Sequence, residues 1–334
     1  MYIYTSKCIY ILTWRLLMTH TIFVDGQEGT TGLKLLDYLT RFSSIEILKI
    51  DPAKRKDPKE REKLLNDADL AFLCLPDSAA KESISLVKND KTKLINASSL
   101  FRTDKNWAYG LPELKHQRER IKSSSRISVP GCHATGFILS VRPLIESGVL
   151  QKDYPASCYS ISGYTGAGKS GIDEYEHADS ASITKLQVPR PYSLLHKHKH
   201  LPEMAMFSGL EYEPLFTPIK ANYPQGLAMT VPLTGRSMAK KASAKTVHEI
   251  LAAYYESERF VQVMPYDSEA YLEDGHFLIG EGMNTNRLEI FVFGQDDHIT
   301  IVSRYDNLGK GASGAAIQNM NLMLGFDEAS GLIL

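Results

Sequence analysis

Thr21-Ile22-Phe23-Val24-Asp25-Gly26-Gln27-Glu28-Gly29-Thr30-Thr31-Gly32 is the stretch that decides the fold. Thr21 to Asp25 reads as a short strand, the glycines as a tight turn, and Leu33, Leu36, Leu39 and Phe42 recur beyond it at helical spacing. In a strand, glycine turn and helix of this kind the backbone can approach a pyrophosphate, and the free amides at the helix start meet its charge. The spacing is G-x-x-G-x-x-G rather than G-x-G-x-x-G, and a plain tight turn explains such glycines nearly as well. The next segments of the chain decide between the two.

Ile45 to Ile50 reads as a second parallel strand ending at Asp51, about where a ribose-binding carboxylate is expected. Lys54-Arg55-Lys56 comes next. A carboxylate there favours NAD, and cations just past the strand favour the extra phosphate of NADP. Pro52 turns the chain directly after the strand, so the cations weigh more and NADP is expected. Ala68 to Leu75 is a buried strand bounded by Pro76-Asp77, Ser78 to Val87 a helix, and Lys93 to Ala97 a strand closed by Ser98-Ser99. This alternation predicts a right-handed, mostly parallel sheet with ligands at the carboxyl ends of its strands. The expected cofactor contacts are Gly26, Glu28, Gly29, Thr30, Thr31, Gly32, Lys54, Arg55, Pro76 and Ser78. Ser98 and Ser99 fall at the same edge and are expected to meet substrate.

A second landmark is Val129-Pro130-Gly131-Cys132-His133-Ala134-Thr135-Gly136. The strand-like run Arg126 to Val129 stops at Pro130-Gly131, and Phe137, Ile138, Val141, Leu144 and Ile145 then recur at helical spacing. Cys132 therefore sits at a strand-to-helix turn, where unpaired amides and the helix dipole favour thiolate over thiol. An isolated cysteine at a turn is more often a small buried residue. The motifs that accompany Cys132 elsewhere in the chain point instead to a nucleophile.

The 334 residues are enough for two cores. Against 39 acidic residues there are 38 basic ones, so the chain has no electrostatic footprint for nucleic acid or an acidic membrane. Cys8, Cys74, Cys132 and Cys158 are scattered without paired spacing, which argues against disulfides and structural zinc and for a reducing, cytoplasmic compartment. Residues 1 to 17 are apolar but broken by Lys7 and Arg15, too short for a span and without a small-residue cleavage site. A start at Met18 is expected, with residues 1–17 a non-native or disordered extension.

In the second half, Leu195-His196-Lys197-His198-Lys199-His200-Leu201 puts three imidazoles on one face if the segment is extended. No carboxylate or thiolate lies at ligand spacing within the cluster, so acid–base work is the better reading and metal the minor one. His198 ranks first, His200 second, and His196 reads as surface. Gly163-Tyr164-Thr165-Gly166-Ala167-Gly168-Lys169-Ser170 fits G-x-x-x-x-G-K-S after the strand-like run Cys158 to Ser162. The chain beyond Ser170 is rich in Tyr, Pro and His, without further strand–helix alternation, so the motif reads as a substrate or nicotinamide loop rather than a nucleotide hydrolase. Gly166 and Gly168 are then cofactor contacts, and Lys169 a cation for phosphate or carboxylate. Leu227 to Leu233, Leu288 to Phe293, Ile299 to Ser303 and a short Val261 to Met264 read as strands, and Ala244 to Glu256 as a helix, giving an open, mostly antiparallel sheet. Lys310 to Ala316 opens a small-residue helix continuing through Ile317, Met320 and Leu324.

The order of these motifs resembles the semialdehyde dehydrogenase family, and within it the shorter, second type of N-acetyl-gamma-glutamyl-phosphate reductases. The likeness runs from about Ile22 to the end. It rests on Gly26 to Gly32, Asn96-Ala97-Ser98-Ser99 with Phe101-Arg102, Tyr109-Gly110-Leu111-Pro112-Glu113-Leu114, Pro130-Gly131-Cys132, Gly163 to Lys169, His198-Lys199-His200-Leu201-Pro202-Glu203, and Asp306-Asn307-Leu308 with Lys310-Gly311-Ala312. The sequence departs from the family pattern in carrying His133 where many relatives have tyrosine, and Tyr164-Thr165 in place of Val-Ser.

The resemblance implies reductive dephosphorylation of an acyl phosphate to an aldehyde with NADPH in arginine biosynthesis. Cys132 would be the nucleophile, His198 and His200 the acid and base, Arg102 a substrate anion binder, and Asn307 a neighbour of the nicotinamide. The C-terminal helix would return to the cofactor domain. Covalent catalysis suits the task, because a thiolate can first expel phosphate and the resulting thioester then accepts hydride. The expected fold is α/β: a Rossmann-type dinucleotide-binding domain over 18–131, joined by 307–334, plus an α+β catalytic and dimerisation domain over 132–306 with a mostly antiparallel sheet. A homodimer or homotetramer is expected. The nearest alternative is an aspartate semialdehyde dehydrogenase. A nucleotide hydrolase would depend on Lys169, a cysteine hydrolase would need no nicotinamide, and a binding protein would be indifferent to Cys132→Ser.

Overall fold

A computed structural model describes residues 19–240, 242–266, 269–295 and 297–334. The extension expected over residues 1–17, with Cys8 and the expected start at Met18, lies outside the described residues.

The first unit is built from short apolar strands alternating with helices. In chain order they are β1 (His20–Asp25), α1 (Thr30–Leu39), β2 (Ile45–Leu48), α2 (Pro58–Asp67), β3 (Leu70–Leu73), α3 (Asp77–Leu86), β4 (Lys93–Asn96), β5 (Ala108–Tyr109), α4 (Gln117–Ser123) and β6 (Arg126–Ser128). The strands lie in the order β2-β1-β3-β4-β6-β5, every pair parallel. Leu70, Ala71, Phe72 and Leu73 are all sealed from solvent, which is why β3 reads as an unbroken apolar run. β2 stops at Leu48, short of the expected Ile50, because Asp51 opens a short 3-10 turn at Pro52 and its carboxylate accepts from the Ala53 amide. The turn after β1 needs glycine. Gly26 has φ +91°, and a Cβ there would run into the Cys74 carbonyl.

The second unit begins with α5 (Cys132–Glu146) and continues through β7 (Ser157–Gly163), α6 (Lys169–Glu176), α7 (Ser180–Leu186), β8 (Arg190–Pro191), α8 (Leu201–Ser208), β9 (Leu215–Ala221), β10 (Leu227–Thr234), α9 (Ala244–Tyr255), β11 (Val261–Val263), β12 (Leu288–Gln295) and β13 (His298–Tyr305). Its sheet runs β11-β12-β13-β10-β7-β9-β8. Only β11 with β12 and β7 with β9 pair in parallel, so the sheet is mostly antiparallel, as expected. α5 is the central helix of this unit. Phe137, Ile138, Val141 and Leu144 pack with Met229, Ile301, Val247 and Leu251 in one core, each such side chain contributing about 1.5–3 kcal/mol when fully buried.

After β13 the chain passes through a wide π-type turn, Gly309–Ser313, into α10 (Gly314–Leu324). Ala315, Ala316, Ile317 and Met320 then pack with Ile22, Val24, Ile95 and Ile127, so α10 completes the core of the first sheet.

Candidate active site

Three adjoining cavities follow the carboxyl ends of the first sheet's strands. The outer one, about 570 Å³, is lined by Gly26, Glu28, Arg55, Lys56 and Arg61 among others. The middle one, about 550 Å³, shares Gly29, Cys74, Leu75 and Pro76 with it. The inner one, about 430 Å³, contains Cys132 and shares Thr30, Thr31, Ala97, Gly168 and Lys199 with the middle one. The three thus form one trench leading to the cysteine.

Along this trench the glycine turn presents backbone. Gly29 caps α1 with no side chain bonded to the helix start, and nothing lies closer than 3.5 Å to where its Cβ would be. The free amides and the open glycine fit a pyrophosphate. Pro76 and Ser78 border the middle. At the outer end Arg55 forms an ion pair with Glu28, and Lys56 lines the wall beside them. Lys54, an expected cofactor contact, is carried away by the 3-10 turn and faces Glu60 at 3.9 Å. The same turn places Asp51 in an adjoining hollow beside Leu33 and Leu36, which shares Gln27, Glu28 and Ile50 with the outer cavity. Lys54 lines none of these cavities.

The expected substrate residues divide. Arg102 borders the cleft at Cys132, whereas Ser98, Ser99 and Lys169 border the middle of the trench. Asp77, opening α3, holds Ser99 there, accepting from its hydroxyl at 2.6 Å and its amide at 3.0 Å. Arg102 donates through Nε to the Val129 carbonyl (3.0 Å) and through Nη1 to Glu203 (2.7 Å). Its Nη2 has no hydrogen-bond partner among the described residues. The buried Glu203 also accepts from the Tyr109 hydroxyl at 2.7 Å and the Gly131 amide at 3.1 Å. Sequence reasoning passed over Glu203. Its signal was the acid directly after Pro202 at the start of a helix.

Cys132 is the first residue of α5, with Gly131 as its uncapped N-cap. Burial works against the thiolate that the helix start favours. Burial pushes the thiol up, outweighing Arg102, the His133 amide and Lys199, which all favour the thiolate. Behind it Tyr305 donates to the Cys132 carbonyl at 2.6 Å and accepts from the Gly136 amide at 3.2 Å. Gly311 closes the back wall, where a Cβ would stand 3.0 Å from the Cys132 Cβ.

The histidine segment is not extended. His196 has φ +52° and is exposed, so no single row of imidazoles forms. His198 and His200 instead meet edge to face with centroids 4.6 Å apart, both bordering the cleft. The His200 amide donates to His198 Nδ1 at 3.2 Å, which leaves the neutral ring's proton on Nε2. His200 packs on Gly131, where a Cβ would enter its ring, and its buried Nδ1 has no hydrogen-bond partner. Burial, then Lys199 and Arg102, push His198 down to about 4, and burial with Arg102 pushes His200 well below the usual imidazole range. Both rings are neutral at pH 7.

A third imidazole, His133, lies 5.5 Å from His198 and 5.4 Å from His200. Its Nδ1 meets the Ser160 hydroxyl at 2.9 Å and its Nε2 the Tyr192 hydroxyl at 3.1 Å. The sequence signalled it only as a departure from the family pattern. Among the described residues no group of three His, Cys, Asp or Glu is placed to hold a metal ion.

The Gly163–Ser170 segment leaves β7 through a 3-10 turn, and Gly166 and Gly168 open on the Cys132 cleft. Asn307 borders the same cleft, its Oδ1 accepting from the Gly226 amide (2.7 Å) and its Nδ2 donating to Thr165 (3.0 Å).

Comparison with known proteins agrees with this arrangement. The semialdehyde dehydrogenase NAD binding domain matches residues 21–124, and the semialdehyde dehydrogenase dimerisation domain matches residues 132–307. The chain is 44% identical over 317 residues to N-acetyl-gamma-glutamyl-phosphate reductase 2 of Nostoc sp., covering 93% of this chain and 98% of that one. To the protein of the same name in Pseudomonas putida it is 40% identical over 314 residues, covering 94% and 99%. Among solved structures it is similar to aspartate semialdehyde dehydrogenase II of Vibrio cholerae complexed with ASA, with a TM-score of 0.67, 14% identity and coverage of 92% and 99%. At that identity the likeness speaks for the fold alone.

Proposed function

The chain belongs to the semialdehyde dehydrogenase family, among the N-acetyl-gamma-glutamyl-phosphate reductases, and we propose on that premise that it reduces N-acetyl-gamma-glutamyl phosphate to the semialdehyde and phosphate, with NADPH, in arginine biosynthesis. The observation that carries this reading is the trench with the glycine turn at one end and Cys132, two neutral imidazoles and Arg102 together at the other.

A nicotinamide dinucleotide, when bound, supplies the hydride. Gly26, Glu28, Gly29, Thr30, Thr31 and Gly32 would hold it at the turn, Pro76 and Ser78 along the middle, and Gly166, Gly168 and Asn307 at the reacting end. Arg55 and Lys56 at the outer end favour the extra phosphate of NADPH. Lys54, which stands 3.9 Å from Glu60, lies beside this end rather than in its lining.

Cys132 carries the acyl group. Its thiol gives its proton to His200, which borders the same cleft, as the sulfur attacks the acyl carbon and expels phosphate. His198 steadies the departing oxygen with a hydrogen bond from Nε2, and the proton taken from the thiol returns from His200 to that oxygen as phosphate leaves. Arg102, steadied by Glu203 and Val129, holds a substrate carboxylate through Nη2. Lys199 and Lys220, both bordering the cleft, hold the phosphate before it leaves, and Lys169 with Ser98 and Ser99 meets it farther along the trench.

We read the enzyme as a cytoplasmic homo-oligomer. The match to a dimerisation domain and the exposed Tyr159 and Leu215 on the edge half of the second sheet support a second copy, and the free Cys74, Cys132 and Cys158 suit a reducing compartment. No helix among the described residues is long and apolar enough to cross a membrane.

The test is to supply the N-acetylated semialdehyde, phosphate and NADP and to measure formation of the reduced cofactor in wild type and Cys132→Ser. Turnover by wild type alone supports the reading. Turnover only with aspartate semialdehyde would move the assignment to the other branch of the family.

A further inference from the structure

Tyr192, Ser160 and His133 have no role in the reaction as written, although Tyr192 and His133 border the Cys132 cleft. We infer that the Tyr192 hydroxyl donates a hydrogen bond to the oxygen of the acyl group on Cys132, its proton aimed into the cleft by the hydrogen-bonded chain from the buried Ser160 and His133 to Tyr192.

The direction of that chain is fixed by counting protons. Ser160 is sealed from solvent, and the sole hydrogen-bond partner of its hydroxyl among the described residues is His133 Nδ1, at 2.9 Å. Burial, with His198 and Lys199 nearby, pushes His133 down to about 3, so its ring is neutral and carries one proton. Were that proton on Nδ1, the serine hydroxyl would have no acceptor in a dry interior, an arrangement proteins avoid. Ser160 therefore donates to Nδ1, and the imidazole proton sits on Nε2. From there it is donated to the Tyr192 oxygen at 3.1 Å. Having accepted from His133, the tyrosine hydroxyl turns its own proton away from the ring, toward the space it shares with Cys132.

Two further observations agree. The Tyr192 backbone amide is fixed to the Pro218 carbonyl at 3.0 Å, which holds the residue at the edge of the second sheet. Burial and the neighbouring Cys132 raise its hydroxyl above the usual range, so it remains a donor throughout. A donor held in place before reaction is what an acyl oxygen needs when attack at its carbon gives it negative charge. His133 is then the positioning residue through which this chain orients that donor.

This inference rests on the proposed reaction, and the experiment separates the two. Wild type, Tyr192→Phe, Ser160→Ala and the double variant are assayed together in the semialdehyde-plus-phosphate direction, with cofactor affinity and melting temperature as controls. Tyr192→Phe is expected to lower kcat about 100-fold with cofactor affinity kept. Ser160→Ala, which frees the His133 tautomer, is expected to cost roughly tenfold in kcat alone and nothing more in the Tyr192→Phe background, while Ser160→Thr restores the rate. Full kcat in Tyr192→Phe, or losses that simply multiply in the double variant, would overturn the inference alone. An inactive wild type would remove the reaction and the inference together.

Discussion

Lys310 and Glu113, both fully buried and 197 positions apart in the chain, form an ion pair at 2.5 Å. Gln318 accepts from the same ammonium at 2.6 Å, donates to Glu113 at 2.8 Å and to Glu328 at 2.8 Å. Glu328 and Glu258 both bind Arg118 of α4. One polar network therefore joins the first sheet's loops to the turn whose Gly311 stands behind Cys132.

Removing one partner strands the other's charge. Burial pushes the Glu113 carboxyl up, but Lys310 holds it below the usual range, so Lys310→Met is expected to cost about 3–5 kcal/mol of stability by urea denaturation. Lys310→Met with Glu113→Gln should recover much of that loss. Equal stability of the single variant and wild type would refute this account.

Gly131→Ala pushes a methyl group into the His200 ring. The expected outcome is a loss of about 1–3 kcal/mol in stability and a fall in kcat of at least roughly tenfold, because the imidazole must leave its place in the cleft that Cys132 borders. A crystal structure of the variant with His200 unmoved would count against it.

The buried imidazoles make stability depend on acid. His133 and His198 hold their neutral forms down to about 3 and about 4, whereas in the unfolded chain they protonate near 6.5. Below pH 6.5 the unfolded state thus binds more protons, and folding stability, full above that pH, drops as the medium is acidified toward 4. The slope is at most about 1.4 kcal/mol per pH unit from His133, and less from the more accessible His198. Denaturation series at pH 7.5 and 5 check this, and His133→Asn should flatten the difference.

Arg55 and Lys56 are expected to set cofactor choice. Replacing both with serine should weaken NADPH about 10- to 100-fold while leaving NADH nearly unchanged, since a charged hydrogen bond contributes roughly 1.5–3 kcal/mol. Equal losses for both cofactors, measured by titration of cofactor fluorescence, would place the pair elsewhere in the mechanism.

Most of the fold was legible because it depends on local patterns. The runs at Thr21, Ala68 and Lys93 became β1, β3 and β4 within a few residues, and Gly26 marked a turn that only glycine can make. Cys132 at the start of α5 was legible for the same reason. What the sequence hid was contact between distant residues. Tyr109 and Glu203 stand in separate motifs, yet they meet at 2.7 Å, and Asn307 reaches Thr165. Periodicity carries no information about such pairs. A helix start is visible in sequence and burial is not, so the pull of burial against the Cys132 thiolate was hidden. The positions of Lys54 beside Glu60 and of Asp51 in the adjoining hollow follow from a single 3-10 turn, which a proline announces without giving its direction.

The return of α10 to the first sheet governs how the protein is made. Its apolar face fills a layer against Ile22, Val24, Ile95 and Ile127, so that layer stays open while everything from Cys132 to Ser313 is still being synthesised. A nascent chain leaving the ribosome carries these greasy β-strands without that cover through most of translation, and a product that stops before Gly314 is expected to keep the layer open.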